Sequence, residues 1–555
     1  MSFKTILIQP RIDQHTRDGY WTGRTITDYL DEGAAATPDK VAFADSRRRI
    51  TYSGLREEVD RCALGLLELG VVPGEVVSFQ LPNWIEWVVL HYAATRIGAI
   101  SNPLIPIYRE REITFMVALA KSRVIVVPGE FRGFDYPAMI DKLRPDLPGL
   151  EHVLVVDGQP GQGTGSWAEF MATPWEQRRD RAALAGLRPD PNEVTLLIFT
   201  SGTTGEPKGV MHTHNTAVAA NNPLPARLGV TATSVIHMAS TLAHLTGFLY
   251  GARLPVQAGA TGVLQDVWEP RRFAELVAEH RITYTSAATP FLHDLLAVPD
   301  LAEHDVSSLV RFCCMGAPIP RVLMREARAK LPGLVVVGGW GQSENALVTL
   351  GIPGDPDEKI IDTDGYPSPG MRIRVVDADG AGLPAGQEGR LQVTGPFLFV
   401  GYAERLEMTR ASFDGDWFDT GDLAIIDAEG YLRICGRTKD VIIRGGENIP
   451  VVSVENVLYE HPRLRKVAIV GMPDPRLQER ACACVVVSPG AEFTLEEMRR
   501  FLRDKGVARH YWPERLEVLT EFPATASGKI QKFRLREIVR DQAAGSPAQA
   551  SGSPA

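Results

Sequence analysis

The sequence predicts an α/β protein: a large N-terminal domain of βαβ-type subdomains plus a β-rich subdomain, followed by a small α+β C-terminal domain. Apolar strand-like runs alternate with helical segments, which is typical of mostly parallel sheets. From about residue 366 the pattern changes to short strands separated by Asp-Gly and Gly turns. The 555 residues are also too many for one compact core.

The N-terminal elements follow from local signals. Thr51 caps an amphipathic helix that runs to a stop at Gly70. Strands and helices then alternate, with a Gly/Pro-rich loop at 156–166. In chain order the segments are the strand GEVVSFQLPN, the helix WIEWVVLHYAATRIGAI, the strand SRVIVVPG, the strand EVTLLIFT (193–200), helix, strand and loop in RFAELVAEHRITYTSAATPFL, and strand then turn in LVVVGGWGQSE.

The C-terminal part is predicted as a separate unit of strands and one capped helix. Thr494 and Glu497 have the spacing of a capping box at the start of that helix. The sequence thus divides into an N-terminal domain at 1–437, with its β-rich subdomain at 366–437, and a C-terminal domain at 438–540. Residues 541–555 have the low-complexity composition of a disordered tail.

Composition excludes several classes of protein. A net charge of −9 and a pI near 5.8 argue against a nucleic-acid-binding surface, although not against a local basic patch. The six cysteines form no CxxC pair and fit buried thiols in a reducing compartment. The N-terminus lacks a signal-peptide pattern, and no apolar run is long enough to span a bilayer. The expectation is a cytoplasmic protein that is not transmembrane.

The stretch TSGTTGEPKGV (200–210) combines glycines, hydroxyls and a lysine directly after a strand. Gly202 and Gly205 allow a close backbone approach, and Lys208 adds a positive charge, so the stretch predicts phosphate binding. Pro207 excludes a Walker A motif. The alternative is an ordinary flexible surface turn, which is the commoner role of this composition.

Three further motifs favour the phosphate-binding interpretation. WGQSE (340–344) places an aromatic ring and a carboxylate at the end of a strand, where α/β proteins bind ligands. DTGD (419–422) offers carboxylates suited to ribose hydroxyls. PATASGKIQK (523–532) places Lys529 in a Gly/Ser loop. Each motif is weak evidence alone, but the four occur together.

With these motifs, and with GRTKD and GGENI in the same order, the chain resembles the adenylate-forming superfamily over essentially its whole length. That superfamily includes acyl-CoA synthetases, luciferases and peptide-synthetase adenylation domains. The resemblance implies that an acid, ATP and CoA give acyl-CoA, AMP and pyrophosphate, with Mg²⁺ as cofactor. The small-molecule acid, ATP and CoA would be the partners, and a homodimer is left open.

The resemblance assigns nucleotide contacts residue by residue. The loop from Thr200 to Lys208 would close over the β- and γ-phosphates, Trp340 would stack on adenine, and Asp422 would bind the ribose. The implied ATP and AMP contacts are Thr200, Ser201, Gly202, Thr203, Thr204, Gly205, Lys208, Gly316, Ala317, Pro318, Trp340, Gly341, Gln342, Ser343, Asp422, Ile434, Arg437 and Lys529. The implied catalytic residues are Lys529, Glu344, Thr204 and Lys208, with Glu344 also holding Mg²⁺.

Lys529 would bridge the substrate carboxylate and the α-phosphate in the first step. In this superfamily the small domain then swings about a hinge, here at Lys439, and guides a thiol to the site. Arg444, Gly445 and Gly446 would line the path of the pantetheine chain.

The acyl pocket implied by the resemblance consists of His244, Leu245, Phe248, Ala288, Phe291 and Gly316. His244 is alternatively a core histidine of an apolar helix. Residues 237–255 contain no carboxylate to pair with an ammonium group, so an amino acid substrate is disfavoured. An apolar acid fits better, and the local pattern resembles cyclohexanecarboxylate-CoA and medium-chain acyl-CoA synthetases.

Two other functions stay open at this point. A luciferase-like oxygenase would make the adenylate and then oxidise it. A stand-alone adenylation enzyme would load a carrier protein, although no carrier domain follows Lys529 in this chain.

Overall fold

A computed structural model describes residues 3–161, 163–200, 207–317, 319–444, 447–474, 476–524 and 530–545, with backbone only at residue 447 and at 543–545. It confirms the α/β class. The described strands form two large sheets, two five-stranded sheets and a small hairpin.

The first sheet is mostly parallel, with antiparallel strands at both edges. Its strands lie in the order β18 (Tyr366–Pro367), β17 (Ala346–Leu350), β16 (Val335–Gln342), β15 (Arg311–Met315), β14 (Tyr284–Ala287), β12 (Val235–Met238), β13 (Thr261–Leu264), β1 (Val41–Ala44) and β2 (Arg49–Thr51).

The second sheet is parallel from its third strand onward. Its order is β21 (Gly401–Tyr402), β11 (Lys208–Thr213), β10 (Val194–Thr200), β4 (Ile100–Pro103), β3 (Val76–Phe79), β5 (Val124–Pro128), β8 (His152–Val156) and β9 (Gly165–Ser166). The hairpin consists of β6 (Glu130–Phe131) and β7 (Phe134–Asp135).

The two five-stranded sheets follow later in the chain. The antiparallel one contains β19 (Arg372–Val376), β20 (Glu388–Thr394), β23 (Trp417–Ile426) and β22 (Phe413–Asp414), with β24 (Leu432–Arg437) beside β23. The C-terminal one contains β26 (Glu447–Ile449), β25 (Ile442–Arg444), β28 (Gln478–Val487) and β27 (Leu464–Asp474), with β29 (Arg515–Val518) parallel to β28.

The α-helices are α1 (Gln9–Arg17), α2 (Ile26–Ala36), α3 (Tyr52–Glu68), α4 (Ile85–Arg96), α5 (Glu110–Ala120), α6 (Tyr136–Leu143), α7 (Trp167–Ala172), α8 (Ala182–Ala185), α9 (His214–Ala219), α10 (Pro223–Leu228), α11 (Leu254–Gln257), α12 (Pro270–His280), α13 (Thr289–Leu296), α14 (Arg321–Lys330), α15 (Asp357–Asp362), α16 (Leu406–Ala411), α17 (Val451–Tyr459), α18 (Leu495–Asp504) and α19 (Lys532–Gly545). A π-helix spans Gly247–Arg253, and 3₁₀ turns lie at Arg144–Asp146, Trp175–Gln177, Leu301–Glu303, Thr438–Asp440 and Arg509–Tyr511. None of the helices in the described ranges is long and apolar enough to cross a membrane.

The predicted helix after Thr51 is confirmed. The Thr51 side chain accepts a hydrogen bond from the Gly54 N–H at 3.1 Å, and the helix ends before Gly70, whose φ is +81°. With α4, this helix belongs to the largest apolar cluster, which contains buried residues from both large sheets. The two sheets are therefore held together through one shared core.

Four sequence-based details need correction. The TPFL segment begins helix α13, because a proline in the first helical turn is tolerated. Tyr366 and its neighbour pair with the first sheet, so the β-rich sheet begins at Arg372. The Thr494 cap is formed by its hydroxyl only, since the Glu497 carboxylate pairs with Arg463. Helix α19 continues five residues beyond 540.

The cysteines are free thiols, five of them buried and Cys435 partly exposed. In the C-terminal unit, Cys482 and Cys484 face helix α19 within a small apolar cluster, while α17 and α18 pack on the other face of the sheet. This unit thus has a core of its own.

Gly365 offers a test of the packing at the edge of the first sheet. A Cβ there would lie 2.3 Å from the Leu350 carbonyl carbon, whereas at Gly354 it would meet nothing within 4 Å. Both glycines have positive φ, +93° and +99°, so Gly354→Ala controls for backbone strain. We expect Gly354→Ala to lower the free energy of unfolding by about 1–3 kcal/mol.

Gly365→Ala should lower the free energy of unfolding by about 1–3 kcal/mol more than Gly354→Ala, because the added methyl group overlaps backbone atoms. Urea unfolding followed by tryptophan fluorescence measures both changes. Equal destabilisation by the two substitutions would contradict the described packing.

Candidate active site

Two neighbouring parallel strands, β15 and β16, bring the predicted adenine contacts together. Gly316 and Ala317 follow the carboxyl end of β15, and Trp340 to Gln342 form the carboxyl end of β16. The glycine of WGQSE is required by packing, because a Cβ at Gly341 would lie 1.7 Å from the Ala346 carbonyl oxygen. This edge is where open α/β sheets bind ligands.

Both carboxylate oxygens of Asp422 have partners in the site. Its Oδ1 is 3.0 Å from Arg437 Nε, the residue directly opposite on β24. Its Oδ2 accepts hydrogen bonds of 3.0 Å from Trp340 Nε1 and from Gln342 Nε2. The Asp422 side chain is only 4% exposed. Its carboxylate therefore joins the β-rich sheet to the WGQSE strand.

A second buried carboxylate, Asp364, was missed by sequence reasoning. Its Oδ2 accepts from the Ile434 N–H at 2.8 Å, and its Oδ1 is 3.2 Å from Arg321 Nη2. Asp364 thus fixes the backbone of Ile434, one of the predicted nucleotide contacts. The only local signal was an Asp-Gly turn, which does not indicate a site.

A strand pair flanks the predicted phosphate loop. Thr200 and Lys208 face each other in the antiparallel pair β10–β11. Lys208 Nζ lies 4.8 Å from the ring centroid of Tyr402, and the Tyr402 hydroxyl donates to Glu344 Oε1 at 2.9 Å. Burial and the Glu344 carboxylate raise the pKa of Tyr402, so the hydroxyl stays a donor. Tyr402 links the loop to the predicted metal ligand.

His212 fixes the turn that carries Ser343. Its Nε2 lies 2.7 Å from the Ser343 carbonyl oxygen, and its Nδ1 lies 3.3 Å from Thr216 Oγ1. Burial lowers the pKa of His212 to about 4, so the ring is neutral at pH 7 and Nε2–H donates to the carbonyl. Neither His212 nor Tyr402 was identified from the sequence.

A cleft of about 1870 Å³ lies between the large sheets and the C-terminal unit. The predicted site residues that line it are Gly316, Ala317, Trp340, Gly341, Gln342, Asp422, Ile434, Arg437 and Lys439. Asn448, Glu455 and Lys532 line it from the C-terminal side. Burial and the nearby Arg437 guanidinium lower the pKa of Lys439 at the predicted hinge.

Five of the six predicted acyl-pocket residues do not line this cleft. Leu245 and Phe248 are buried in the largest core, where Phe248 contacts His91 at 4.5 Å between ring centroids. Ala288 and Phe291 belong to a second cluster. His244 is half-buried. Of the described residues predicted for the acyl pocket, Gly316 lines the cleft and the other five do not.

Several predicted residues lie outside the described ranges: Ser201, Gly202, Thr203, Thr204, Gly205, Pro318, Gly445, Gly446 and Lys529. The predicted CoA contact Arg444 is described. Its Nε lies 2.7 Å from Glu514 Oε1, and its Nη1 donates to the His510 carbonyl at 2.7 Å. Arg444 is thus anchored within the C-terminal sheet.

Comparison with known proteins identifies the family. The family model of the AMP-binding enzyme matches residues 30–403, and that of the AMP-binding enzyme C-terminal domain matches residues 453–529. The medium-chain fatty-acid–CoA ligase of Escherichia coli (strain K12) is 37% identical over 531 residues, which is 95% of this chain and 92% of that protein.

Other relatives act on aromatic acids. The salicyl-AMP ligase / salicyl-S-ArCP synthetase of Mycobacterium tuberculosis is 35% identical over 94% of this chain and 91% of its own length. The crystal structure of the anthranilate CoA ligase AuaEII with anthranoyl-AMP superimposes with a TM-score of 0.85 at 25% identity, covering 94% of this chain and 98% of that one. The chain belongs to the AMP-binding, adenylate-forming enzymes and is an AMP-forming acid–CoA ligase.

Proposed function

We propose that this ligase activates an apolar carboxylic acid, medium-chain or alicyclic, and transfers it to CoA. The observation that carries the proposal is the 37% identity to a medium-chain fatty-acid–CoA ligase over 95% of this chain. The composition of residues 237–255 agrees with it, because they include no Asp or Glu that could pair with the ammonium group of an amino acid. Leu245 and Phe248 of this segment lie in the largest apolar core, so the segment supports the proposal by its composition and not by a place in the cleft.

The first step forms a bond between the substrate carboxylate and the α-phosphorus of ATP. The bond between the α-phosphorus and the oxygen that bridges it to the β-phosphorus breaks, and pyrophosphate leaves with that oxygen. Two anions must approach each other, so positive charge aimed at the α-phosphate lowers the barrier. We assign that role to Lys529, and assign Thr204 and Lys208 to the outer phosphates that leave.

The site chemistry fits Mg²⁺ held by Glu344. Among the described residues no group of three or more His, Cys, Asp or Glu side chains could hold a metal ion. Mg²⁺ is usually bound through one or two carboxylates together with substrate phosphates, so a single ordered carboxylate suffices. When bound, the ion neutralises phosphate charge. Glu344, oriented by Tyr402, would hold it.

In the second step the CoA thiolate sulfur forms a bond to the acyl carbon. The bond between that carbon and the AMP phosphate oxygen breaks, and AMP leaves with its electron pair. We infer that the chain divides into units of 1–437 and 438–540, the second extended to Gly545 by helix α19, and that it turns about Lys439 between the two steps. Arg444, Gly445 and Gly446 would then line the approach of the thiol. The ion pair of 2.9 Å between Arg536 Nη1 and Asp440 Oδ1 lies beside that hinge.

A carrier protein is the second candidate acceptor. It is favoured by the relative named as a salicyl-S-ArCP synthetase, whose similarity covers most of the chain. Both acceptors present a pantetheine thiol, so the cleft residues alone do not separate them.

A panel of acids tests the substrate and the acceptor together. We expect AMP release with octanoic and cyclohexanecarboxylic acids to exceed that with amino acids, and to require CoA for multiple turnovers. Acyl-CoA should be the product by mass spectrometry. Turnover with a phosphopantetheinylated carrier protein but not with CoA would contradict the proposal, as would oxygen consumption coupled to loss of the acyl-adenylate.

The role of Lys529 is tested by Lys529→Ala. We expect acid-dependent pyrophosphate release to fall by at least about 100-fold, because removing one preorganised donor typically costs that much. Conversion of supplied acyl-adenylate to thioester should persist. Lys505→Ala, on an exposed lysine of the same unit, is the control. Unchanged pyrophosphate release in Lys529→Ala would show that the assignment is wrong.

A further inference from the structure

The N-terminal strap, defined as residues 3–25, lies outside both family-model matches. It makes two hydrogen bonds to a short segment, residues 396–403, which we call the buttress: one to its first residue and one to its middle. The Trp21 Nε1–H donates to the Pro396 carbonyl at 3.0 Å, and the Ile6 N–H donates to the Val400 carbonyl at 2.9 Å.

The buttress in turn holds Glu344 in two ways. The Phe399 N–H donates to the Glu344 carbonyl at 2.7 Å, and the Tyr402 hydroxyl donates to its carboxylate at 2.9 Å. The backbone and the side chain of Glu344 are thus both fixed by residues three positions apart. Displacement of the buttress would move the carboxylate.

The buttress is also fastened to the strand that carries Lys208. The Ala403 N–H donates to the Gly209 carbonyl at 2.8 Å, and the Val400 N–H donates to the Met211 carbonyl at 2.9 Å. The far end of the strap reaches the helix after this strand, where the Gly23 N–H donates to Asn215 Oδ1 at 3.2 Å. The strap therefore contacts both the buttress and the helix that follows the Lys208 strand.

Burial makes these contacts rigid. Trp21 is 3% exposed and packs on His15, with ring centroids 4.9 Å apart. Half-buried Leu7 contacts two apolar clusters, one containing Phe399 and the other containing Val400. A buried carbonyl that loses its donor costs free energy, so the strap and the buttress hold each other in one position.

We propose that Trp21 and the Ile6 backbone N–H are positioning groups that set the Glu344 carboxylate for the Mg²⁺–ATP complex. The inference rests on the proposed metal role of Glu344. The strap acts without touching ATP, through the buttress, in the manner of outer-shell partners that orient a metal ligand.

Trp21→Phe tests the proposal, because it removes the indole donor and keeps an aromatic ring. Trp175→Phe is the matched control: Trp175 is also buried and donates to a backbone carbonyl, that of Phe170, at 2.8 Å. The readout is ATP binding by calorimetry in the full chain, without acid or CoA, measured with Mg²⁺ and again with EDTA. The ratio of the two affinities isolates the Mg²⁺-dependent part.

We expect Trp21→Phe to lower the ratio of the ATP affinity with Mg²⁺ to that with EDTA by about threefold to tenfold. This is at or below the loss of metal affinity that is typical when a residue bonded directly to a metal ligand is replaced. Trp175→Phe should leave the ratio unchanged and should lower the melting temperature about as much as Trp21→Phe does. Ile6→Pro, which removes the other donor, should lower the ratio as well. Glu344→Gln should abolish the Mg²⁺ dependence.

The outcomes separate the two claims. If Glu344→Gln keeps the Mg²⁺ dependence, the proposed metal role fails. If Glu344→Gln abolishes the Mg²⁺ dependence but Trp21→Phe and Trp175→Phe both keep the affinity ratio of the unsubstituted protein, the strap has no positioning role. If Trp21→Phe and Ile6→Pro both fail to fold while Trp175→Phe folds, the strap is a requirement of the fold and the positioning role is contradicted.

Discussion

The carboxylate of Asp422 accepts hydrogen bonds from two residues of the WGQSE strand and pairs with Arg437 on the neighbouring β-strand, while almost fully removed from solvent. An unpaired charge buried to that degree would cost about 3–5 kcal/mol. Each of its partners is therefore constrained to its position. Together with the hydrogen bond from Ile434 to Asp364, this group joins the first large sheet and the β-rich sheet as two walls of the same cleft.

The rest of the site is arranged around that junction. Asp364 fixes the backbone of Ile434 on the β-rich side, and His212 fixes the turn after Gln342. On the loop side, Tyr402 contacts both Lys208 and Glu344. The charged groups that we propose as nucleotide and metal ligands are thus held in place by their neighbours, as electrostatic preorganisation requires. Described residues of the C-terminal unit, among them Asn448, Glu455 and Lys532, line the other side of the cleft.

The sequence was sufficient to predict the fold class and the strand-end position of WGQSE, because alternation of apolar strands with helices and the motifs are local signals. Tyr402 and His212 could not be predicted as site residues. Tyr402 lies 58 positions from Glu344, and His212 lies 131 positions from Ser343, so only the folded sheets bring them together. The acyl-pocket residues were chosen by motif position, which does not reveal that Phe248 packs against His91 inside the core.

Formation of an acyl-adenylate in this cleft, as a step separate from thioester formation, is tested most directly by pyrophosphate exchange. Labelled pyrophosphate is supplied with ATP, Mg²⁺ and octanoic acid, and CoA is left out. We expect label to enter ATP only when the acid is present, since the acyl-adenylate forms reversibly without a thiol. Absence of exchange until CoA is added, or formation of ADP in place of AMP, would contradict adenylation as the first step.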